Sequence, residues 1–388
     1  MHCPISGLCG DASRAASVLP FDPGHVLLVY RGRAAVWWAA KLLGLGEGDE
    51  VLVPAYHCGS EVDPLVRFGL SVRTYDVGLD LSAGIQSVAV AATKRTRAVY
   101  VIHHFGIARP LRALARWCHE RSLLLIEDCA LALFAQSEDG SVGSAGDASI
   151  YSFRKTLPVP DGGALVLRDA QKIKDVSLAQ PPARRVCFEL GKLFGRWVRS
   201  QMPTSLDSWI GRPTAHDGDT LAGLRGERLP LAEDDRFDTA TAEWAMSRVS
   251  RRISAAADPM AVKSRRRENF QFLLETLGTT SGVRPVIADL PDGACPVVFP
   301  VECDRRNALY RYLIERKIAA IPWWAGFHEA IEWDACPVAQ RLKQSVVALP
   351  VHQGLGHRHM AYIAECIRDF AETRAVAPAE SDAVADNG

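Results

Sequence analysis

Leu123-Leu-Leu-Ile-Glu-Asp-Cys-Ala130 and Tyr151-Ser-Phe-Arg-Lys-Thr-Leu-Pro-Val-Pro-Asp-Gly-Gly-Ala-Leu-Val-Leu167 are the stretches whose reading decides the fold. The first is a short, continuous apolar run closed by two carboxylates. Such a run fits a strand of a parallel sheet covered on both faces. The second reads as a strand over Ser149–Phe153, a loop carrying Lys155, a Gly162-Gly163 turn, and a strand over Ala164–Leu167.

Working outward, the same alternation continues. Glu50–Pro54, Val72–Asp76 and Ala98–His103 read as strands, with helices over Glu61–Phe68 and Leu111–Glu120 between them. A largely apolar helix over 33–44, ending at Gly44, precedes them. Strands alternating with helices imply a layered α/β domain. Beyond residue 236 we expect helices over 239–256 and 259–277, a strand at Pro296–Val301 and a helix at Arg305–Arg316. A strand at Ile318–Pro322 and a closing helix at Met360–Glu372 complete the expected order. The expected organisation is a large domain over 25–255 and a smaller C-terminal domain over 256–374. Segments 1–24 and 375–388 read as irregular or disordered. Residues 170–236, punctuated by Pro181-Pro182, Pro203, Pro213 and Pro230, read as an insertion with a helix around Phe188–Arg199.

Composition narrows the function classes. The 388 residues are 48% hydrophobic and 23% charged, with a formal net charge of +0, so nothing points to nucleic acid or a membrane surface. The dense basic run Lys263, Arg265, Arg266, Arg267 reads as a solvated helix face. The 10 cysteines contain no C-x-x-C pair and no zinc spacing, which favours a reduced, cytoplasmic setting. Cys118 and Cys129 read as buried small hydrophobes. Residues 1–20 lack the pattern of a signal peptide, and no apolar run reaches the roughly 20 residues of a membrane span.

Asp128 and Lys155 carry the chemistry. A carboxylate at the end of a buried strand and a lysine on a nearby loop are the two groups a pyridoxal phosphate (PLP) enzyme needs. The carboxylate keeps the pyridine nitrogen protonated, and the lysine amine forms the Schiff base and moves protons. The helix start Gly32-Arg33-Ala34 is a candidate phosphate site, because helix N-termini bind anions through backbone N–H groups. Ser152 is a second phosphate candidate. Ser152-Phe-Arg-Lys155 also spells the S-x-x-K motif of serine acyl-enzymes, but the S-D-N and K-T-G triplets that reading requires do not occur.

At these residues the chain resembles the DegT/DnrJ/EryC1/StrS family of PLP-dependent sugar aminotransferases. The matching stretches are Gly46-Glu-Gly-Asp-Glu-Val-Leu-Val-Pro-Ala-Tyr56, Thr93-Lys-Arg-Thr-Arg-Ala98 and His103-His-Phe-Gly106. Ile126-Glu-Asp-Cys-Ala130, Val142-Gly-Ser-Ala-Gly-Asp147, Gly162-Gly-Ala164 and Leu349-Pro-Val-His-Gln-Gly-Leu355 follow in the family's order. The resemblance implies PLP-dependent transferase fold type I: a mainly parallel seven-stranded sheet plus a smaller C-terminal α/β domain. It implies a homodimer with shared active sites. It also implies transfer of an amino group from glutamate or glutamine to a keto group, most often on a nucleotide-linked sugar. Rival readings are another PLP reaction on the same fold, or a non-catalytic relative. Family dehydratases carry histidine in place of the lysine, which Lys155 argues against.

Four positions depart from the family's pattern. Arg33 stands where a small hydroxyl residue is usual. Cys58 stands where an aromatic ring stacks on the cofactor, leaving Tyr56 or His57 as alternatives. Leu131 replaces the polar residue near the cofactor's 3-hydroxyl. Ser152 precedes Lys155 by three residues where the family has five, so the loop is shorter. His103 matches a family histidine and reads first as a hydrogen-bonded core residue. His57, His104, Trp323, Trp324 and His328 are further pocket candidates. The partner-subunit phosphate loop of the family has no visible counterpart near Phe237-Asp238-Thr239.

Overall fold

The computed structural model describes residues 19–201, 236–324, 328–331 and 336–376. Cys3, Cys9, Pro203, Pro213, Pro230, most of the segment read as an insertion, and most of both terminal segments lie outside these residues.

The chain opens with β1 (Val26–Val29), α1 (Gly32–Leu43), β2 (Glu50–Pro54), α2 (Val62–Arg67), β3 (Ser71–Tyr75) and α3 (Ile85–Ala91). β4 (Thr96–Ile102), α4 (Arg112–His119), β5 (Leu124–Asp128) and a small hairpin of β6 (Gln136–Ser137) and β7 (Gly140–Ser141) follow. Then come β8 (Ala148–Ser152) and β9 (Gly163–Leu167). Seven of these strands form one sheet in the order β1-β9-β8-β5-β4-β2-β3. Only β9 runs against the rest, pairing antiparallel with both β1 and β8. All residues of β2, β8 and β9 are buried, as the continuous apolar runs require when helices cover both faces. α1 ends at Gly44, whose φ of 78° supplies the left-handed cap.

α5 (Ala183–Gln201), α6 (Arg248–Ala255) and α7 (Pro259–Leu277) lead to a second, antiparallel sheet. It contains β10 (Arg284–Pro285), β11 (Val298–Glu302), β12 (Ile321–Pro322) and β13 (Val346–Pro350) in the order β10-β11-β13-β12. α8 (Arg306–Glu315), α9 (Pro337–Ser345) and α10 (His357–Val376) complete it. Apolar residues of both sheets belong to one continuous core, from Val29 through Phe270 to Ile367.

Two expectations are corrected. The helix expected over 239–256 is a single turn at Thr239–Thr241, an extended stretch, and then α6. The backbone edge of β1 wins over helix propensity here. Tyr30 N–H donates to the Trp244 carbonyl at 2.8 Å, Met246 N–H donates to Leu28 at 3.2 Å, and Ala245 bridges Val29. The basic run on α7 is not one solvated face. Lys263 is only partly buried and Arg265 is exposed, but Arg266 is 2% exposed. It shares a buried face with Val262, Asn269, Phe270, Leu273 and Leu277. Cys118 and Cys129 are buried, as expected.

Candidate active site

β5 carries adjacent carboxylates to opposite sides. Asp128, at the strand's C-terminal end, is 7% exposed. Its Oδ2 accepts from the Tyr100 hydroxyl at 2.7 Å, and its Oδ1 accepts from Ala130 N–H at 2.8 Å. Burial, reinforced by the charges of Asp128 and Glu61, raises the Tyr100 pKa and keeps that hydroxyl a donor.

Glu127 builds the wall behind. It accepts from Gly143 N–H at 2.9 Å, Ala145 N–H at 2.7 Å and Gly146 N–H at 2.5 Å. His103 Nδ1 accepts from Arg109 N–H at 3.1 Å, so the ring proton sits on Nε2 and is donated to Glu127 at 3.0 Å. Burial pushes Glu127 upward, but His103 and the loop amides more than offset it and hold the carboxyl below its ordinary range. His103, Glu127 and Cys129 lie close enough to suggest a metal site. Because Glu127 already accepts four hydrogen bonds, the cluster reads as scaffold for the 142–147 loop. His103 is therefore the hydrogen-bonded core residue that its position suggested.

β8 lies beside β5, with Asp128 opposite Ile150. It runs directly into a 3₁₀ turn, Phe153–Lys155. Phe153 is buried and Lys155 is exposed, so the turn anchors through its ring and releases the amine. Both Thr156 and Leu157 N–H donate back to the Phe153 carbonyl, at 3.0 and 2.7 Å. At the loop's far end Gly163 has no alternative. A Cβ there would lie 2.5 Å from the Arg31 carbonyl carbon. That close approach brings the start of α1 onto β9. Gly32 consequently sits against Ser152, with its Cβ position 3.4 Å from Ser152 Cβ and 3.9 Å from Oγ. Ala34 and Ala35 continue α1 inward as buried residues.

The two arginines flanking Gly32 take separate directions. Arg33 donates to the Arg236 carbonyl at 3.1 Å. Arg31 reaches Glu189 at 3.5 Å and stacks over Tyr30. Cys58 lies within electrostatic reach of Lys155. Its thiol donates to Glu61 at 2.7 Å and its N–H donates to the same carboxylate at 3.1 Å. Burial, then the Glu61 charge, raises the thiol pKa, so the sulfur stays neutral. Tyr56 and His104 stack on each other, 5.6 Å between centroids, and Trp323 and Trp324 join that buried cluster. His57 and His328 are buried nearby, His328 being 3.6 Å from Asp63. Leu131 is packed into the main core. Phe237 is buried, and its N–H donates to Asp63.

Sequence reasoning missed Tyr100 and Glu61. Tyr100 stands on β4 at the level of Ile126, one pleat from Asp128, so strand register was the signal that could have found it. The 58/61 spacing across a helix start was the signal for Glu61.

The donor set fits pyridoxal phosphate. A buried carboxylate with a strand-fixed position meets a pyridinium. A helix start beside a serine hydroxyl meets a phosphate. An exposed lysine stands at the end of the neighbouring strand.

Residues 21–185 match the sequence profile of the DegT/DnrJ/EryC1/StrS aminotransferase family. The chain is 35% identical over 145 residues to GDP-perosamine synthase of Vibrio cholerae, covering 37% of this chain and 40% of that protein. It is 34% identical over 229 residues to a putative L-glutamine:3-amino-2,3-dideoxy-scyllo-inosose aminotransferase of Micromonospora echinospora, covering 54% of each. These alignments span about two fifths to one half of the curated relatives' length. The aminotransferase TlmJ from Streptoalloteichus hindustanus superposes with a TM-score of 0.71 at 22% identity, covering 97% of this chain and 98% of that one. That likeness shows the fold over the described residues: α/β, of the PLP-transferase fold type I architecture. Over residues 21–185 the chain is thus similar to the DegT/DnrJ/EryC1/StrS aminotransferase family.

Proposed function

We propose that this chain is a member of the DegT/DnrJ/EryC1/StrS family and a PLP-dependent aminotransferase. It takes an amino group from an amino-acid donor, glutamate or glutamine, and delivers it to a keto group on a nucleotide-linked sugar. The observation that carries the reading is the placement of Asp128 and Lys155 at the same edge of adjacent parallel strands. The relative named for GDP-perosamine supports the nucleotide-linked acceptor, and the one named for an inosose, a cyclitol ketone, supports only the broader keto-acceptor class.

When bound, PLP supplies an electron sink for charge developing at the substrate's amino carbon. Asp128, oriented by Tyr100 and Ala130, holds a proton on the ring nitrogen through a desolvated opposite charge. Gly32, Ala34 and Ser152 hold the phosphate, with Arg33 as the candidate side-chain contact. Lys155 Nζ anchors the cofactor and then takes and returns a proton at the substrate carbon, as general base and acid. Cys58, its sulfur kept neutral, would pack against the cofactor ring. We further propose the domain division at residue 255/256 and a homodimer with shared sites, working in the cytoplasm on amino sugars for polysaccharide. The eight described cysteines form no disulfide with one another, and no described helix is long and apolar enough to cross a membrane.

The test is a borohydride reduction with PLP followed by peptide mapping, then a half-reaction with glutamate. Label on Lys155 and cofactor conversion by glutamate are expected. Label on another lysine, or no conversion by any amino acid, overturns the reading.

A further inference from the structure

Behind the lysine turn lies a polar bracket that the chemistry above does not use. Arg266 and Asn269 stand three positions apart on α7 and so share one face. Asn269 Nδ2 donates to the carbonyls of Val351, His352 and Leu355, at 3.2, 3.3 and 3.2 Å. These bonds fix the turn that follows β13. Gln353, on that turn, points back to the large sheet. Its Oε1 accepts from Arg266 Nε at 2.8 Å, and its Nε2 donates to the Thr156 carbonyl at 2.9 Å. Arg266 Nη2 donates to the same Thr156 carbonyl at 3.2 Å, and Nη1 donates to Pro296 at 3.0 Å. One carbonyl, that of the residue following Lys155, in the Thr156–Leu157 peptide, therefore accepts two side-chain hydrogen bonds, one of them charge-assisted. The side chain of Thr156 is buried while that of Lys155 is exposed.

The geometry points to Arg266 and Gln353 as positioning residues that fix the Thr156–Leu157 peptide, one residue beyond Lys155, and with it the turn from which the amine leaves. A short turn at a strand end has little regular structure of its own to hold it. Here the second sheet and α7 supply the missing constraint, through atoms that never reach the reacting groups. The argument rests on the assignment of Lys155 as the cofactor lysine.

The experiment uses the full chain without cofactor and reads amide hydrogen exchange. Gln353→Met removes the Thr156 contact and the Arg266 acceptor at a half-buried site, while Arg266→Lys keeps the charge and loses the fork. Each hydrogen bond lost corresponds to about 2- to 13-fold in a local opening equilibrium. In Gln353→Met we expect exchange over 155–162 to accelerate by about 5- to 100-fold, with β5 and α1 unchanged. Arg266→Lys should fall between wild type and Gln353→Met. A second readout is the rate at which PLP is captured on Lys155 under borohydride, which should fall while the labelled residue stays the same. Wild-type exchange over 155–162 in Gln353→Met, or equal acceleration across the whole large sheet, overturns the inference. If wild-type protein couples PLP elsewhere than Lys155, the proposed function fails. The exchange comparison still decides whether the bracket holds the turn.

Discussion

Asp128 and Lys155 stand at the ends of neighbouring strands, yet they are held in opposite ways. Asp128 is placed by its own ladder: β4 and β8 flank β5 in register, and Tyr100 on β4 meets its carboxylate. Lys155 lies on a connection with almost no regular structure, held through its backbone by Phe153, Gly162, Arg266 and Gln353. A strand end gives a side chain a fixed address at little further cost in ordering entropy. A loop gives reach, and its address must be supplied from elsewhere. In the proposed mechanism the group that stays still sits on the strand, and the group that would move a proton sits on the turn.

The sharpest test of that contrast is Lys155→Ala. Transamination should be abolished while the melting temperature stays within a few degrees, because the exposed amine carries no core packing. Activity within tenfold of wild type would remove Lys155 from the mechanism. Asp128→Asn comes next, with an expected loss of at least 10²–10³ in half-reaction rate, on the order of a lost preorganised electrostatic partner. Unchanged rate with normal cofactor content would move the pyridinium partner elsewhere.

Arg33 probes the helix start. Arg33→Ala should weaken PLP affinity by roughly 10- to 150-fold, the range of a charge-assisted contact, with bound chemistry nearly intact. The hydrogen bond to the Arg236 carbonyl and the pull of Arg31 toward Glu189 make the pair directly comparable. If Arg31→Ala weakens binding and Arg33→Ala does not, the phosphate contact belongs to Arg31. Tyr100→Phe is the smaller perturbation of the strand-end address. It removes one donor to Asp128 and should lower the rate by about 5- to 10-fold, in line with one hydrogen bond.

The smallest effect concerns the scaffold behind Asp128. Glu127 has a depressed folded pKa, so its stabilising contribution is fully present above the unfolded value, about 4.3, and is lost as pH falls through the folded value. Chemical denaturation across pH 3–6 should therefore show a flatter acid limb in Glu127→Gln than in wild type. Parallel curves would show that the 142–147 loop is held by other contacts.

Arg266 shows how much of the site was legible and why the rest was not. The run of charges around it reads as a wet face when composition is considered. The helical spacing of Val262, Arg266, Asn269, Phe270, Leu273 and Leu277 places it among buried residues instead. Periodicity was the better signal. The extended stretch at 242–247 was not readable from its own residues, because the edge of β1 that captures it lies more than 200 positions away in the chain.

What the sequence by itself determined is the alternation of apolar strands and helices, the two catalytic candidates at strand ends, and the glycines that a close turn demands. These are local properties, set by side-chain period and backbone sterics. Only the tertiary structure decided that Gly32 meets Ser152, that Tyr100 meets Asp128, and that Gln353 and Arg266 meet the carbonyl after Lys155. Each of those meetings joins segments far apart in the chain. Their distances follow from how the layers pack, and no local pattern encodes them.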